Sequence, residues 1–529
     1  MAPLKLAELA KGALLLDDLG GYHRPITTTS AEAQKFFDQG LRLLWAFNHD
    51  EAARSFARAA ELDPESAICL WGVSYALGPN YNIVMLPDRA QAAWEAAQKA
   101  VALAGRASPA EQALIEAVAK RYKGPQPLEP PDQQPWSEAF AAAMREAARR
   151  FPDDLDIQTL FAESLMDLNP WKLWSLDGKP APGTEEIVAT LEGVLAKDQD
   201  HPGANHYYIH AVEASAHPEK AVAAADRVGA MMPSAGHLVH MPAHIYQRVG
   251  RYADAAEANR KAAAADVAYN ARAKPWGYYP GMYTYHNYSF LAFAAAAEGR
   301  GAEAIRAARE AVTWMPPAMV AMMPGGDFFL AEPYLALVRF GKWDEILAER
   351  EPGPNMPILT GLWRFARGMA LAGKNKPDEA QAELLAVTAQ RAAVGPLPAG
   401  FNSAADILGL AATLLEAQIA WTRGARDVAI PLFQSAVAKE DALAYDEPAD
   451  WFYPVRHHLG AALMAVGRAA DAEAVYREDL RRNPDNGWAL YGLAQSLKAQ
   501  KKTKEAAATD ARFKKAWAAA DVTLTSTAF

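Results

Sequence analysis

The stretch that decides the fold is Ala33–Pro64, AQKFFDQGLRLLWAFNHDEAARSFARAAELDP. Small, aromatic and helix-ending residues recur in it at offsets of 0, 12, 16, 19 and 24: Gly40, Ala52, Phe56, Ala59 and Pro64. Small residues let the two helices of a hairpin approach closely, an aromatic ring fills the gap, and a proline ends the second helix. The stretch therefore predicts a pair of antiparallel helices.

This spacing resembles the tetratricopeptide repeat (TPR), a helical hairpin with a period of about 34 residues. Similar hairpins are predicted within residues 203–266 and 286–315, and again within 453–484, where Gly460, Ala472, Tyr476 and Pro484 keep the pattern. The resemblance implies an all-α fold, a TPR-like superhelical solenoid of antiparallel helix pairs.

The repeats and the stretches between them predict six segments. They are an N-terminal segment 1–32, N-terminal TPR-like repeats 33–123, a Pro-rich connection 124–136, central TPR-like repeats 137–315, degenerate helical repeats 316–445, and C-terminal TPR repeats with a capping helix 446–529. The connection holds five prolines and is expected to be extended. The central segment carries a tryptophan-bearing loop, 169–184.

The chain as a whole also resembles a little-characterised group of long bacterial TPR proteins with histidine-rich repeats. Six short motifs carry this resemblance: Gly21-Tyr-His-Arg-Pro-Ile, Phe47-Asn-His-Asp-Glu-Ala, Trp71-Gly with Leu77-Gly-Pro-Asn-Tyr-Asn, His201-Pro-Gly-Ala-Asn-His, His240-Met-Pro-Ala-His, and His286-Asn. The resemblance implies the fold and implies no activity.

Composition excludes several classes of function. Hydrophobic residues make up 51% of the 529 residues and charged residues 22%, as in folded globular proteins. The net charge of −10, with acids and bases interspersed, argues against a nucleic-acid surface, which needs a basic stripe. Cys69 is the single cysteine, so an internal disulfide and a multi-thiolate metal site are both excluded.

Location follows from what the sequence lacks. No stretch reaches the ~18 apolar residues that a membrane span needs. The N-terminus has no signal-peptide pattern, because its apolar runs are short and interrupted by acids. The chain as written is therefore expected in the cytoplasm, or in the periplasm if a leader peptide has been removed.

Histidines recur at the repeat period. His206 and His210 are four residues apart, and His240 and His244 follow each of them by 34. Equivalent residues of stacked repeats lie side by side, on the helix face that lines the concave groove. With the inter-helix glycine as repeat position 15, His206, His240 and His457 all fall at position 5.

Imidazoles that converge in this way are typical metal ligands. The predicted metal ligands come from three neighbouring helices: His206, His210, His237, His240, His244 and His286. The predicted catalytic groups are Glu213 and Glu163, either of which is a candidate general base. Asp167, His201 and His457 are undecided. A set of imidazoles without thiolates suits copper, iron or zinc.

The resulting hypothesis is a metal-dependent enzyme acting on a small molecule in the concave groove, with oxidoreductase chemistry slightly preferred to hydrolysis. Aromatic loops at 169–184, 273–283 and 315–326 are expected to cover the centre. Two alternatives stay open. One is a non-catalytic TPR scaffold that binds a peptide or protein partner, and the other is a metal-binding protein without catalysis. A metal-free polar groove or a structural hydrogen-bond network would also explain the histidines.

Overall fold

The computed structural model describes residues 3–529, and its regular structure is almost entirely α-helical. Among these residues the one sheet is a two-residue hairpin, in which β1 (Pro398–Ala399) pairs antiparallel with β2 (Asn402–Ser403). The all-α prediction is confirmed.

The helices follow one another with short connections. In chain order they are α1 (Ala31–Trp45), α2 (His49–Leu62), α3 (Ala67–Leu77), α4 (Ala90–Leu103), α5 (Pro109–Ala119), α6 (Pro130–Arg150), α7 (Leu155–Met166), α8 (Thr184–Lys197), α9 (Pro202–Val212), α10 (Val222–Met231), α11 (Gly236–His240), α12 (Pro242–Arg248), α13 (Tyr252–Ala273), α14 (Tyr279–Ala297), α15 (Gly301–Thr313), α16 (Pro317–Met322), α17 (Glu332–Arg339), α18 (Trp343–Ala348), α19 (Pro357–Gly373), α20 (Pro377–Ala393), α21 (Ala404–Thr422), α22 (Arg426–Asp441), α23 (Arg456–Ala465), α24 (Ala469–Arg482), α25 (Gly487–Ala499) and α26 (Thr503–Ala516). Single 3₁₀ turns lie at Leu6–Glu8, Ala104–Arg106, Pro218–Ala221 and Gly326–Ala331.

The chain forms two compact units. The first unit comprises Met1–Ile245 and Lys261–Tyr283, and the second comprises Tyr246–Arg260 and Thr284–Phe529. Within each unit, consecutive helices pack against each other, as α1 does on α2 and α2 on α3 in the first, and α24 on α25 in the second. This is the stacked-hairpin arrangement that the repeats predicted.

Phe56 shows how the first hairpins pack. Its ring is fully buried, and a Cβ added to either Gly40 or Gly72 would lie about 2.5 Å from it. Gly40 belongs to α1 and Gly72 to α3, so the ring on α2 fills the space that two helices leave by carrying no side chain there. The small–aromatic spacing read from the sequence is therefore a packing contact between helices.

The C-terminal repeats of the second unit use the same device. Tyr476 on α24 lies against Gly460 on α23 and Gly492 on α25, and a Cβ at either glycine would clash with the ring. In both units the aromatic residue stands 16 residues from each glycine. The predicted TPR-like hairpin is thus present near both ends of the chain.

The connection predicted over 124–136 is wrong in its second half. The chain is non-helical only from 124 to 129, because α6 begins at Pro130. Proline is tolerated in the first helical turn, where the backbone N–H has no partner within the helix in any case. Pro135 lies deeper in α6, where it removes one backbone hydrogen bond.

One described helix, α21, is long and apolar enough to cross a membrane, and 61% of that stretch is buried inside the structure. The buried residues of α21 are those of a core helix, which packs against α19, α20 and α22.

Candidate metal centre

Five of the six histidines predicted as metal ligands lie in the first unit. His206 and His210 are on α9, His237 and His240 on α11, and His244 on α12. Each is at most 2% exposed. His201 begins α9, since its Nδ1 accepts the amide N–H of Ala204 (3.1 Å), and Pro202 occupies the first helical position.

The His206 ring is held in a defined orientation. Its Nδ1 lies 2.5 Å from the carbonyl oxygen of Trp45, and because a carbonyl only accepts, Nδ1 must carry the proton. The lone pair of a neutral ring is then on Nε2, which lies 3.2 Å from Nε2 of His237. Two imidazole nitrogens bound to one tetrahedral ion, with bonds of about 2.0–2.1 Å, lie about 3.3 Å apart. The His206–His237 pair already has this separation.

Glu213 joins two of the histidines. Its carboxylate accepts Nδ1–H from His210 (2.8 Å) and from His244 (2.5 Å). Carboxylates that bind the outer ring nitrogen of a metal-ligating histidine orient the ring and raise its basicity. The position of Glu213 is therefore that of a group that orients His210 and His244, and its two oxygens are both occupied in this arrangement.

The fifth histidine extends the cluster. Nε2 of His240 lies 2.7 Å from Nε2 of His244. Since Nδ1 of His244 donates to Glu213, a neutral His244 ring accepts at Nε2, and His240 donates there. In both histidine pairs a proton occupies the space between nitrogens that face each other, so an ion bound in either place would release that proton.

Two groups of first-unit residues bring three potential ligand atoms within 4.8 Å of one another. One is His206, His210 and His237, and the other is His210, Glu213 and His244. His210 belongs to both groups. Either group could hold one ion, the first on three imidazoles and the second on two imidazoles and a carboxylate.

Burial keeps His206 in the form that binds metals. Desolvation lowers the pKa of His206 well below its usual value, and the nearby His210 lowers it further, while the hydrogen bond to Trp45 acts in the opposite direction. The ring is therefore neutral at physiological pH. Only neutral imidazole has the lone pair that a metal needs, so no proton has to be removed from the His206 ring itself.

The Phe47 ring packs against three histidines of the cluster, although no role was predicted for it from the sequence. Its ring lies 4.3 Å from that of His206, 5.6 Å from His210 and 5.5 Å from His237, measured between ring centroids. The Phe47 backbone has a φ of 53°, a conformation that bulky residues rarely adopt. No pattern in the sequence indicates this, because the turn between α1 and α2 is what points the ring at the histidines.

Two of the three predicted covering segments contact the histidines within the first unit. Trp171, from the loop 169–184, lies 5.9 Å from the His210 ring and stacks on Tyr81 at 5.5 Å. Tyr283, from the segment 273–283, meets the His237 ring edge-on at 4.7 Å. Asn82 links the two, because it accepts from the Trp171 indole (3.1 Å) and donates to the Tyr283 hydroxyl (3.2 Å). The segment 315–326 lies in the second unit, and its covering role stays a prediction.

Glu163 lies on α7 in a separate buried acidic group. Tyr75 donates its hydroxyl to Glu163, and Arg121 donates to Asp167 at 2.6 Å. Burial raises the pKa of both carboxyls, that of Asp167 well above its usual value. Neither carboxylate is a member of the two ligand groups of the first unit.

Tyr207 lies between this acidic group and the histidines. Its ring is 5.5 Å from that of His206 and 5.6 Å from that of Phe47. Burial raises the pKa of its hydroxyl well above the usual value, and the neighbouring Glu163 and Asp167 raise it further. The Tyr207 hydroxyl is buried without a hydrogen-bond partner among the described residues.

The remaining candidates are placed elsewhere. His286 lies in the second unit, half-buried, with its ring 5.0 Å from that of Phe290, so its membership of the cluster stays a prediction. His457, also in the second unit, pairs through Nε2 with Asp479 at 2.9 Å. His201 pairs through Nε2 with Tyr22 (3.1 Å) and Asp156 (3.3 Å), which makes it a structural residue.

No protein-family model matches the chain, and no curated protein matches it. Among solved structures it is similar to the human IFIT1 dimer with m7Gppp-AAAA, at 12% identity over 92% of this chain and 96% of that one, with a TM-score of 0.35. It is also similar to the APC/C hetero-tetramer Cut9–Hcn1, at 10% identity over 93% and 89%, with a TM-score of 0.28. The TPR domain of P58(IPK) matches at 11% identity over 89% and 99%, with a TM-score of 0.24. These likenesses carry no argument about function.

Proposed function

We propose that the protein is a metal-dependent enzyme that acts on a small molecule, and that His206, His210 and His237 bind its transition-metal ion. One observation carries the proposal. Three fully buried imidazoles present nitrogens within 4.8 Å of one another, and the outer nitrogens of His206 and His210 are bonded to oxygens that orient the rings. Burying such a group has a cost in conformational freedom and desolvation that an ion would offset.

The donor set favours copper, iron or zinc. All the ligating atoms are imidazole nitrogens, with no thiolate, and hard cations such as Mg²⁺ and Ca²⁺ prefer oxygen ligands. Bound copper or iron would supply oxygen chemistry, and bound zinc would supply an activated water. His240 and His244 are the ligands proposed for a second ion or for a wider coordination shell.

The other residues of the first unit then have distinct roles. Glu213 holds the His210 and His244 rings in place, which is a positioning role rather than that of the general base first predicted for it. Phe47, Trp171 and Tyr283 keep water from the ion and set the size of the space for a substrate. Glu163 stays the proposed proton-transfer group, because burial raises its pKa and so favours the protonated form that a proton donor needs.

An enzyme is preferred to a scaffold because the cluster is enclosed. Peptide-binding grooves expose their contact residues, whereas these five histidines are at most 2% exposed and carry aromatic rings against them. A folded partner cannot reach histidines that are buried in this way.

The decisive experiment is elemental analysis of the purified protein beside a His206→Ala/His240→Ala variant. We expect one or two equivalents of copper, iron or zinc in the parent protein and none in the double variant. A His217→Ala variant is the control, because His217 is exposed and pairs with Glu219 at the surface. The absence of metal from the parent protein, with no uptake when copper, iron and zinc are each supplied, would exclude the proposal.

A further inference from the structure

Arg339 is a buried cation without a partner. It is the last residue of α17 in the second unit and is 6% exposed. Among the described residues, no carboxylate oxygen lies within 4.0 Å of its nitrogens, and none of its N–H groups makes a hydrogen bond. A guanidinium stays protonated in proteins and carries five N–H donors. None of the Arg339 nitrogens is among the fully buried unpaired atoms, so these donors keep some access to solvent although the side chain as a whole is buried.

Aromatic rings hold the guanidinium in a fixed plane. Its carbon lies 3.7 Å above the Trp488 ring and 5.6 Å from the centre of the Tyr453 ring. Cation–π contacts of this kind offset part of the desolvation cost, but they leave the N–H donors without a protein acceptor because they act on the face of the guanidinium and not on its edge. The edge of Arg339 is therefore available to an acceptor.

The nearest acidic residues do not supply that acceptor. Asp479 is occupied by His457 (2.9 Å) and Asn486 (3.0 Å). Glu440 accepts the amide N–H of Val455 at 3.0 Å, and burial raises its pKa to about 8, so this carboxyl is mostly protonated at neutral pH. The positive charge of Arg339 thus has no dedicated counter-ion in the second unit.

Tyr453, whose ring faces Arg339, carries a further unpaired donor, and so does Trp451, which contacts Tyr453. The hydroxyl of Tyr453 and the indole N–H of Trp451 are both buried and have no hydrogen-bond partner among the described residues. The two rings lie 5.8 Å apart, and that of Tyr453 also faces Arg339. Buried donors are nearly always paired, so the unpaired Tyr453 hydroxyl next to a guanidinium without an acidic partner indicates a place for an acceptor.

We propose that Arg339 and Tyr453 bind the carboxylate of a small organic acid in the second unit. A carboxylate matches the guanidinium edge with two parallel hydrogen bonds, and its charge balances the buried cation. The aromatic surroundings of Trp451, Tyr453 and Trp488 favour an acid with an apolar body. This site is independent of the proposed metal centre, since all its residues lie in the second unit.

Benzoate tests the proposal, with the melting temperature of the full-length protein as the readout. We expect benzoate to raise the melting temperature of the parent protein in a saturable way, and neutral benzamide to leave it unchanged. In Arg339→Met, which keeps the length of the side chain and removes its charge and donors, the apparent Kd for benzoate should rise at least ~10-fold. Arg456→Met is the matched control, because Arg456 is equally buried but already forms two hydrogen bonds with Asp441 (2.7 and 2.6 Å).

A saturable response to benzoate that is lost in Arg339→Met and kept in Arg456→Met supports the proposal. No response to benzoate, an equal response in Arg339→Met, or a response to inorganic phosphate alone would overturn it. If Arg339→Met does not fold, Tyr453→Phe takes its place, since it removes one donor and little volume. This variant should weaken benzoate binding several-fold, and unchanged binding would contradict the role of Tyr453.

Discussion

Histidines of the two units occupy the same repeat position but have different surroundings. His206 and His240 in the first unit and His457 in the second all fall at repeat position 5. In the first unit, Nε2 of His206 faces His237 at 3.2 Å and Nε2 of His240 faces His244 at 2.7 Å. In the second, Nε2 of His457 faces the carboxylate of Asp479 at 2.9 Å.

This difference shows that a groove position does not decide the chemistry of a histidine. His206 and His240 are one repeat apart, so each brings a second imidazole to its neighbour. Position 5 of the preceding hairpin, counted from Gly424, is Leu414, and Tyr491 stands one repeat after His457. Neither is a typical metal ligand. His457 therefore belongs to a buried hydrogen-bond network with Asp479, and the first-unit histidines form the candidate metal centre.

The largest expected effect on metal affinity comes from removing proposed ligands in the first unit. His206→Ala/His210→Ala should lower the affinity for Zn²⁺ by more than ~100-fold, because losing a ligand has a larger effect than losing one of the groups that orient ligands. His457→Ala/His458→Ala should leave it unchanged. Competition with a chromophoric chelator measures both. If both double variants lost the same Zn²⁺ affinity, the histidines of the two units would not differ in metal binding.

The second-largest effect is expected at Glu213, whose carboxylate holds the rings of His210 and His244. Glu213→Gln should weaken metal binding by about 10–100-fold, since an amide oxygen is a weaker acceptor and orients His210 and His244 less firmly. Glu219→Gln is the control, because Glu219 pairs with a histidine at the exposed surface (3.0 Å). Complete loss of the metal in Glu213→Gln would instead indicate that Glu213 is itself a ligand.

Acid should act on the second unit through its buried histidines. Burial lowers the pKa of His458 to about 3, below the value of about 6.5 that it has in the unfolded chain. The unfolded state therefore takes up a proton below pH 6.5 that the folded state does not, and stability is lost as the pH falls from about 6.5 toward 3. Each pH unit lowers the free energy of unfolding by up to ~1.4 kcal/mol for this group.

The measurement is urea unfolding at pH 7 and pH 5 for the parent protein and for His458→Phe, whose ring suits the neighbouring Phe433 and Tyr453. The variant should lose less stability on acidification, and His217→Gln, at the exposed surface, should behave as the parent does. An unchanged pH dependence in His458→Phe would mean that His458 takes up its proton in the folded state.

The smallest effect is expected at the covering loop. Trp171→Ala should speed the chelator-driven loss of metal by a few-fold (about 3- to 10-fold), because Trp171 covers His210 and is not a ligand. Trp174→Ala in the same loop is the control, since the Trp174 indole donates to the carbonyl of Ala211 (2.7 Å). Equal rates in Trp171→Ala and the parent protein would exclude a covering role for Trp171.

Sequence reasoning reached the histidines because repeats are periodic. The spacing of 34 residues predicted that the imidazoles of α9 would lie beside those of α11 and α12. The rings of His210 and His244 do lie 5.1 Å apart. The register of the closest contact differs, since His206 lies against His237 rather than His240. A helical period predicts which face a side chain occupies, but the crossing of neighbouring helices decides which ring it meets.

The helical hairpins could be predicted from the sequence alone, because the residues that specify them are close together in the chain. Gly40, Phe56 and Gly72 are 16 residues apart, and that spacing alone places a ring between two helices that leave room for it. It also determined the face on which the histidines lie.

The contacts of individual side chains depend on how the helices pack and could be read only from the tertiary structure. Glu213 lies between two histidines, Phe47 lies beneath three of them, and Arg339 lies between aromatic rings without an acid. None of these follows from periodicity, because a hydrogen bond or ion pair depends on the positions of atoms from helices far apart in the chain. Those positions are set to within an ångström only when the helices have packed.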